Sequence, residues 1–285
     1  MRLSSIYKQR EILVFVTRRL SFFIFFYSLL CPAFANENHP LGSRAAAMGN
    51  SAVTIFDIWA VYHNQAGLAG INSITAAIHY ENRFNISEFG LRAAALAIPV
   101  RPGTIGFSYS FFGFAKYYES KTGIAFGRYF GEKVAAGLQV NYLHIYIAED
   151  YGSSGNLTAE GGFIAEPAEG LLVAAHVYNP TGTKIKTHYS EPVPTIFRFG
   201  IGYRFGRDVF ASVEAEKEID RKVVFSAGLE AGFYGSIYLR TGINSAPVQN
   251  SFGVGYFYRG LNADIAFTNH QVLGFTPQIS VSYTF

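Results

Sequence analysis

From residue 73 onward the chain alternates apolar with small or polar residues at a period of two, in segments of about 9 to 13. In "VVFSAGLEAGF", Val223, Phe225, Ala227, Leu229, Ala231 and Phe233 share one face, with Val224, Ser226, Gly228, Glu230 and Gly232 opposite. "QISVSYTF" sets Ile279, Val281, Tyr283 and Phe285 against Gln278, Ser280, Ser282 and Thr284. "SITAAIHYE" turns Ile74, Ala76, Ile78 and Tyr80 outward, with His79 and Glu81 inward. The same periodicity predicts strands at 73–81, 88–98, 104–114, 120–130, 133–147, 156–166 and 170–178. It continues at 194–205, 208–218, 221–233, 235–244, 248–258, 260–268 and 275–285, which makes fourteen. An even count with apolar-out, polar-in alternation is the pattern of a bacterial outer-membrane barrel.

The connections repeat with the strands. Links after the even-numbered strands are tight: "VRPG", "FGEK", "EPAEG", "FGRD", "FYGS" and "YRG". Links after the odd-numbered strands read as longer and more polar, "FAKYYES", "NSAPVQN" and "TNHQVLGFTP" among them, with "EIDRK" the short exception. Short periplasmic turns and longer outer loops place both ends of the chain on the periplasmic side. Aromatics gather just before the tight turns, at Tyr129, Phe130, Tyr203, Phe205, Phe233 and Tyr234 and over 256–258, as an interfacial girdle would. Val281, Tyr283 and Phe285 at the C-terminus resemble the aromatic signal by which outer-membrane barrels are recognised for insertion. The longest outer loop, 179–194, reads as a solvated loop or as a docking surface for an extracellular partner.

Composition agrees with this picture. Aromatics are 16% of the chain and charged residues 15%, against about a quarter in ordinary soluble domains. No segment beyond residue 35 offers the 18 or so consecutive apolar residues of a spanning helix, so a closed barrel is the remaining way to satisfy every backbone group in lipid. Residues 1–35 read as a removable signal peptide: Arg18 and Arg19, an apolar run, then Ala33-Phe34-Ala35 as a cleavage site. That segment carries net +4 and the whole chain +3, which leaves the mature chain at about −1 and removes any electrostatic case for nucleic-acid binding. The one cysteine, Cys31, leaves with it, so no disulfide framework is expected.

The inward positions carry both signs of charge: Arg92, Glu160, Glu166, Arg198, Arg204, Glu214, Glu216, Glu230, Arg240 and Asp264. Buried charges persist when paired, so these predict a salt-bridged interior bracing the wall and an internal plug, or a polar path. Gly200, Gly202, Gly228, Gly232, Gly253 and Gly255 line the same face and leave room for something close to the wall. Catalysis finds no support. There is no G-x-S-x-G, no phosphate loop that leads into a helix, and no metal-ligand spacing, so no cofactor is expected.

Residues 36–72 precede the first strand, and "LGSRAAAMGNSAVTIFDIWAVYHNQAGLAGIN" occupies 41–72. The pattern Gly42, Arg44, Ala45, Met48, Gly49, then Asp57, Trp59, Ala60, Asn64, Ala66, Gly67 and Leu68 resembles the N-terminal signature of FadL-type outer-membrane transporters, and more narrowly their PorV/PorQ branch. Gln65 stands where that family usually has proline. The resemblance implies an all-β, fourteen-stranded antiparallel transmembrane barrel over 73–285 whose N-terminal segment folds inward as a hatch. In it Trp59, Val61 and Tyr62 would supply packing, Asn64 and Gly67 a turn, and His63 a hydrogen bond to the wall. It also implies two functions: an accessory of type IX protein secretion, which works with secretion components or cargo, or a diffusion transporter for hydrophobic small molecules. The short outer loops favour the first; a purely structural barrel is a third reading.

Overall fold

The computed structural model describes residues 38, 40–148, 152–186 and 190–285. The expected signal peptide, 1–35, lies outside the described residues. Fourteen strands close an antiparallel barrel. They are β1 (Thr75–Asn82), β2 (Gly90–Val100), β3 (Gly103–Phe114), β4 (Tyr117–Phe130), β5 (Val134–Ile147), β6 (Gly152–Ala168) and β7 (Leu171–Tyr178). After a short hairpin of β8 (Lys184–Lys186) and β9 (Ser190–Pro192) come β10 (Ile196–Phe205), β11 (Val209–Glu218), β12 (Val224–Phe233) and β13 (Ile237–Ser245). β14 (Val248–Tyr258), β15 (Leu261–His270) and β16 (Gly274–Thr284) complete the circle. β16 pairs with β1 over Thr75 to Glu81, so the barrel has no free edge.

The tight turns explain the hairpins. Arg259 and Gly260 both take positive φ, 47° and 85°, between β14 and β15. Two left-handed residues in a two-residue link match the twist of the strands they join. The other set of links differs from expectation. Links at 115–116, 246–247 and 271–273 are also short, because the strands run on through "FAKYYES", "NSAPVQN" and much of "TNHQVLGFTP". Backbone pairing does not stop where the apolar band ends; the polar residues there pair in water. The longest link, 179–195, is pinned at its base: Asn179 Nδ2 donates to the Val193 carbonyl at 2.8 Å, and Asn179 Oδ1 accepts from Thr183 N at 3.1 Å.

Outward positions carry the apolar side chains, with Leu138 72% exposed, while inward ones are small or polar and closed over, with Ala125 at 2%. One inward expectation fails. Arg92 faces outward on β2, on the row of Ala94, and the inward row is Leu91, Ala93, Ala95 and Ala97. "LRAAALA" offers two faces of nearly equal polarity; what selects the inner one is the need for small residues where the N-terminal segment packs. That segment, 41–72, is mostly buried and contacts the inner wall through a one-turn helix at Ser43–Ala47, another at Ala60–His63 and a 3-10 turn at Gln65–Gly70. Such short helices are marginal alone and depend on what they pack against.

Candidate functional site: the barrel interior

The N-terminal segment is first held by its own turns. Asn64 caps the 3-10 turn, its Oδ1 accepting from Ala66 N at 3.2 Å while Nδ2 donates to the Val53 carbonyl at 2.8 Å. The same Nδ2 lies 3.3 Å from the wall carbonyl of Phe163. Gly67 is obligatory there because a Cβ would lie 2.6 Å from the Ile55 carbonyl oxygen. Trp59 packs edge-on to His79 of β1, with ring centroids 5.5 Å apart. The Tyr62 hydroxyl reaches the backbone carbonyls of Ala94 and Tyr109, at 2.9 and 2.8 Å, across the β2–β3 pair.

The wall is cut back to receive this segment. A Cβ on Gly228 would lie 2.6 Å from the Met48 Cβ, and one on Gly253 would lie 2.7 Å from that of Ala47. At Gly242 it would strike the backbone of Met48 and Gly49, and at Gly137 it would lie 2.5 Å from the Gln65 carbonyl oxygen. Glycine in these strands forgoes packing of its own to let another backbone approach.

Charges complete the attachment in two clusters. In one, Arg44 donates to both carboxylate oxygens of Glu230, at 2.8 and 2.7 Å, and lies 3.5 Å from Asp57. Arg240 bridges Glu230, at 2.6 Å, to Asp264, at 2.5 Å. In the other, Glu214 accepts from the backbone amides of Ala52 and Val53, both at 2.8 Å. Arg198 is wholly buried, 2.7 Å from Glu216 and 3.7 Å from Glu214, and it donates to the Asn38 carbonyl. Glu160 is surrounded by Lys121 at 2.9 Å, Asn141 at 2.8 Å, and Gln139 and His176 at 3.1 Å. Each buried carboxylate thus meets donors, which is the condition for retaining it.

The expected interior charges are therefore present as paired groups, Arg92 excepted. Arg204 and Glu166 meet at 3.7 Å, but at the mouth of the barrel, where both side chains are more than a third exposed. His63 differs from expectation. It is fully buried, yet neither ring nitrogen has a hydrogen-bond partner among the described residues. Burial, and then the Arg198 charge, push it down to about 3, so it sits as a neutral ring. Burial raises Asp57 despite the opposing Arg44. Gln65 is fully buried, its Nε2 donating to the Val61 carbonyl at 3.3 Å. Lys121, Gln139 and Asn141 went unrecognised in the sequence. They lie on the inward rows of β4 and β5, with Gly123 and Gly137, so extending the alternation back through "KTGIAFG" finds Lys121. At the C-terminus, Tyr283 and Phe285 face outward, with ring centroids 4.9 Å apart; Val281 is half-buried on the same row.

The rest of the interior divides sharply. A cavity of about 380 Å³ lies on the side of the 206–208 turn, lined by Arg44, Asp57, Arg207, Asp208, Arg240 and Asp264 with Phe56 and Trp59. By contrast, the inner face of β2, with Ala77 of β1 and Ala125 of β4, forms an apolar seam: Leu91, Ala93, Ala95 and Ala97 lie with them against Trp59, Val61, Tyr62 and Leu68. No group of three metal-ligating side chains occurs among the described residues.

Fourteen antiparallel strands thus close a barrel whose interior is occupied by the chain's own N-terminal segment. No protein-family profile and no curated protein sequence matches the chain. Solved structures do. The CymD monoaromatic hydrocarbon channel superimposes with a TM-score of 0.66 at 10% identity, over 88% of this chain and 99% of that one. The Pseudomonas putida toluene transporter TodX gives 0.66 at 9% identity, over 87% and 99%. A Pseudomonas aeruginosa FadL homologue gives 0.64 at 11% identity, over 88% and 99%. At these identities the likeness establishes the fold. Of these three, CymD is a channel and TodX a transporter.

Proposed function

We propose that this chain is a diffusion channel for hydrophobic small molecules across the outer membrane, with residues 41–72 as the hatch that closes it. The observation that carries the reading is the apolar seam at Ala93, Ala95, Ala97 and Ala125 beside Trp59 and Tyr62, a stretch of inner wall where the hatch is held by apolar packing with no ion pair. An apolar solute crosses where no charge must be desolvated, so the seam is the side on which it passes the hatch. The fold shared with hydrocarbon channels supports the same reading. The test is mass spectrometry of organic extracts from the purified barrel. Wild-type protein should carry apolar compounds that Ala95→Arg protein lacks. Equal content in both would refute the seam as the path.

A second reading, an accessory of type IX secretion, draws on the signature at Gly42, Arg44, Met48, Gly49, Asp57, Trp59, Asn64, Gly67 and Leu68, and on Gln65, where the transport members usually have proline. The density of hatch-to-wall contacts suits a scaffold as well as a gate. Recovery of secretion components or cargo with tagged protein, with no apolar compound bound, would favour it.

A further inference from the structure

The outward rows of the barrel strands carry three charges, Arg92, Arg128 and Lys217, and among the described residues no carboxylate. Arg128 sits at the end of β4 that leads into the short 131–133 turn, its guanidinium 4.5 Å above the Phe130 ring. Arg92 and Lys217 sit at the opposite ends of their strands. Arg92 lies eight residues along β2 from Val100, which at about 3.3 Å per residue and a tilt near 40° is about 20 Å of membrane height. It therefore marks the outer edge of the apolar band.

Its surroundings are specific. Arg92 pairs in register with Tyr80 on β1 and Phe111 on β3. Phe111 stacks on Tyr118 at 5.3 Å, and Tyr118 lies 5.0 Å from Tyr146 and 5.8 Å from His144, all on the outer face. Arg92 has no carboxylate within ion-pair distance among the described residues. A fork of donors set beside a run of half-exposed rings on the outer face, above Ile78 and Leu96, matches a phosphorylated sugar carrying acyl chains: phosphate on the guanidinium, sugar on the rings, chains against the apolar rows.

We propose that Arg92 and the Tyr80–Phe111–Tyr118–His144 platform dock the phosphorylated headgroup of an outer-leaflet glycolipid of the lipid A type. The proposal rests on the outer-membrane reading and on the short turns being periplasmic. Arg101→Cys tests that orientation separately, since the thiol should be labelled only after the outer membrane is permeabilised.

The experiment is native mass spectrometry of the full barrel released from nanodiscs that contain bisphosphorylated lipid A. One lipid should remain bound to wild-type protein. Arg92→Ala should lower that occupancy at least fivefold and Arg92→Lys less, while Lys217→Ala leaves it unchanged. Dephosphorylated lipid A should bind wild-type protein no better than bisphosphorylated lipid A binds the Arg92→Ala variant. Unchanged occupancy in Arg92→Ala, an equal loss in Lys217→Ala, or equal binding of the dephosphorylated lipid would each overturn the proposal. The arm with altered lipid needs no variant, so a folding defect cannot decide the outcome.

Discussion

Arg44→Ala is the sharpest perturbation of the hatch as a closure. Arg44 is the side chain that carries a charge from the N-terminal segment to the wall, with two hydrogen bonds to Glu230 and a 3.5 Å approach to Asp57. Removing one partner of a buried ion pair costs about 3–5 kcal/mol when the other is left uncompensated. Here Glu230 keeps Arg240 at 2.6 Å, and the Arg44 and Asp57 side chains are about a fifth exposed toward the cavity. Both facts reduce the loss, to about 2 kcal/mol. At tenfold per 1.4 kcal/mol, the hatch should dislodge about 30-fold more often. Arg44→Lys keeps the charge without the fork and should fall between. The assay is single-channel recording in planar bilayers at fixed voltage, with a chain lacking residues 41–70 setting the open level. If the truncated chain conducts and Arg44→Ala stays within threefold of wild type, the ion-pair latch is refuted.

Three further outcomes are expected. Gly242→Ala should expose the 41–72 segment to protease while the barrel remains heat-modifiable, because a Cβ at Gly242 collides with the backbone of Met48 and Gly49; continued protection would contradict that fit. Phe285→Ser should reduce the amount of assembled, heat-modifiable barrel several-fold, and normal levels would remove the C-terminal signal from the account. His63 is depressed from 6.5 to about 3 in the folded segment, so its contribution is complete above pH 6.5 and is lost as pH falls below that value. By pH 4.5 the loss is on the order of 2–3 kcal/mol, so the conducting fraction should rise between pH 7.5 and 4.5. His63→Gln should flatten that rise, and an equal rise in the variant would assign it to other groups.

Much of the barrel was legible because lipid imposes one rule on every strand: large apolar residues outward, small or polar ones inward. "VVFSAGLEAGF" and "QISVSYTF" obey it residue by residue. The rule fails where polarity does not separate the faces. Arg92 was misassigned in an alanine-rich strand whose inner face is chosen by side-chain size against Trp59 and Tyr62. Outer loops were overcounted because polar composition marks the end of the apolar band, not the end of backbone pairing. The charges of the interior could be read from alternation, but their partners could not: that Arg44 meets Glu230, 186 positions away, depends on how far the N-terminal segment enters the barrel. The backbone amides of Ala52 and Val53 on Glu214 have no sequence signal at all.

The central claim is passage of an apolar solute, and the direct measurement is the initial uptake rate of a radiolabelled monoaromatic hydrocarbon by cells whose outer membrane contains this barrel. Wild-type protein should raise the rate above that of cells without it, and Ala95→Arg protein, assembled to the same level, should not. Equal rates with wild-type barrel, Ala95→Arg barrel and no barrel would contradict the account.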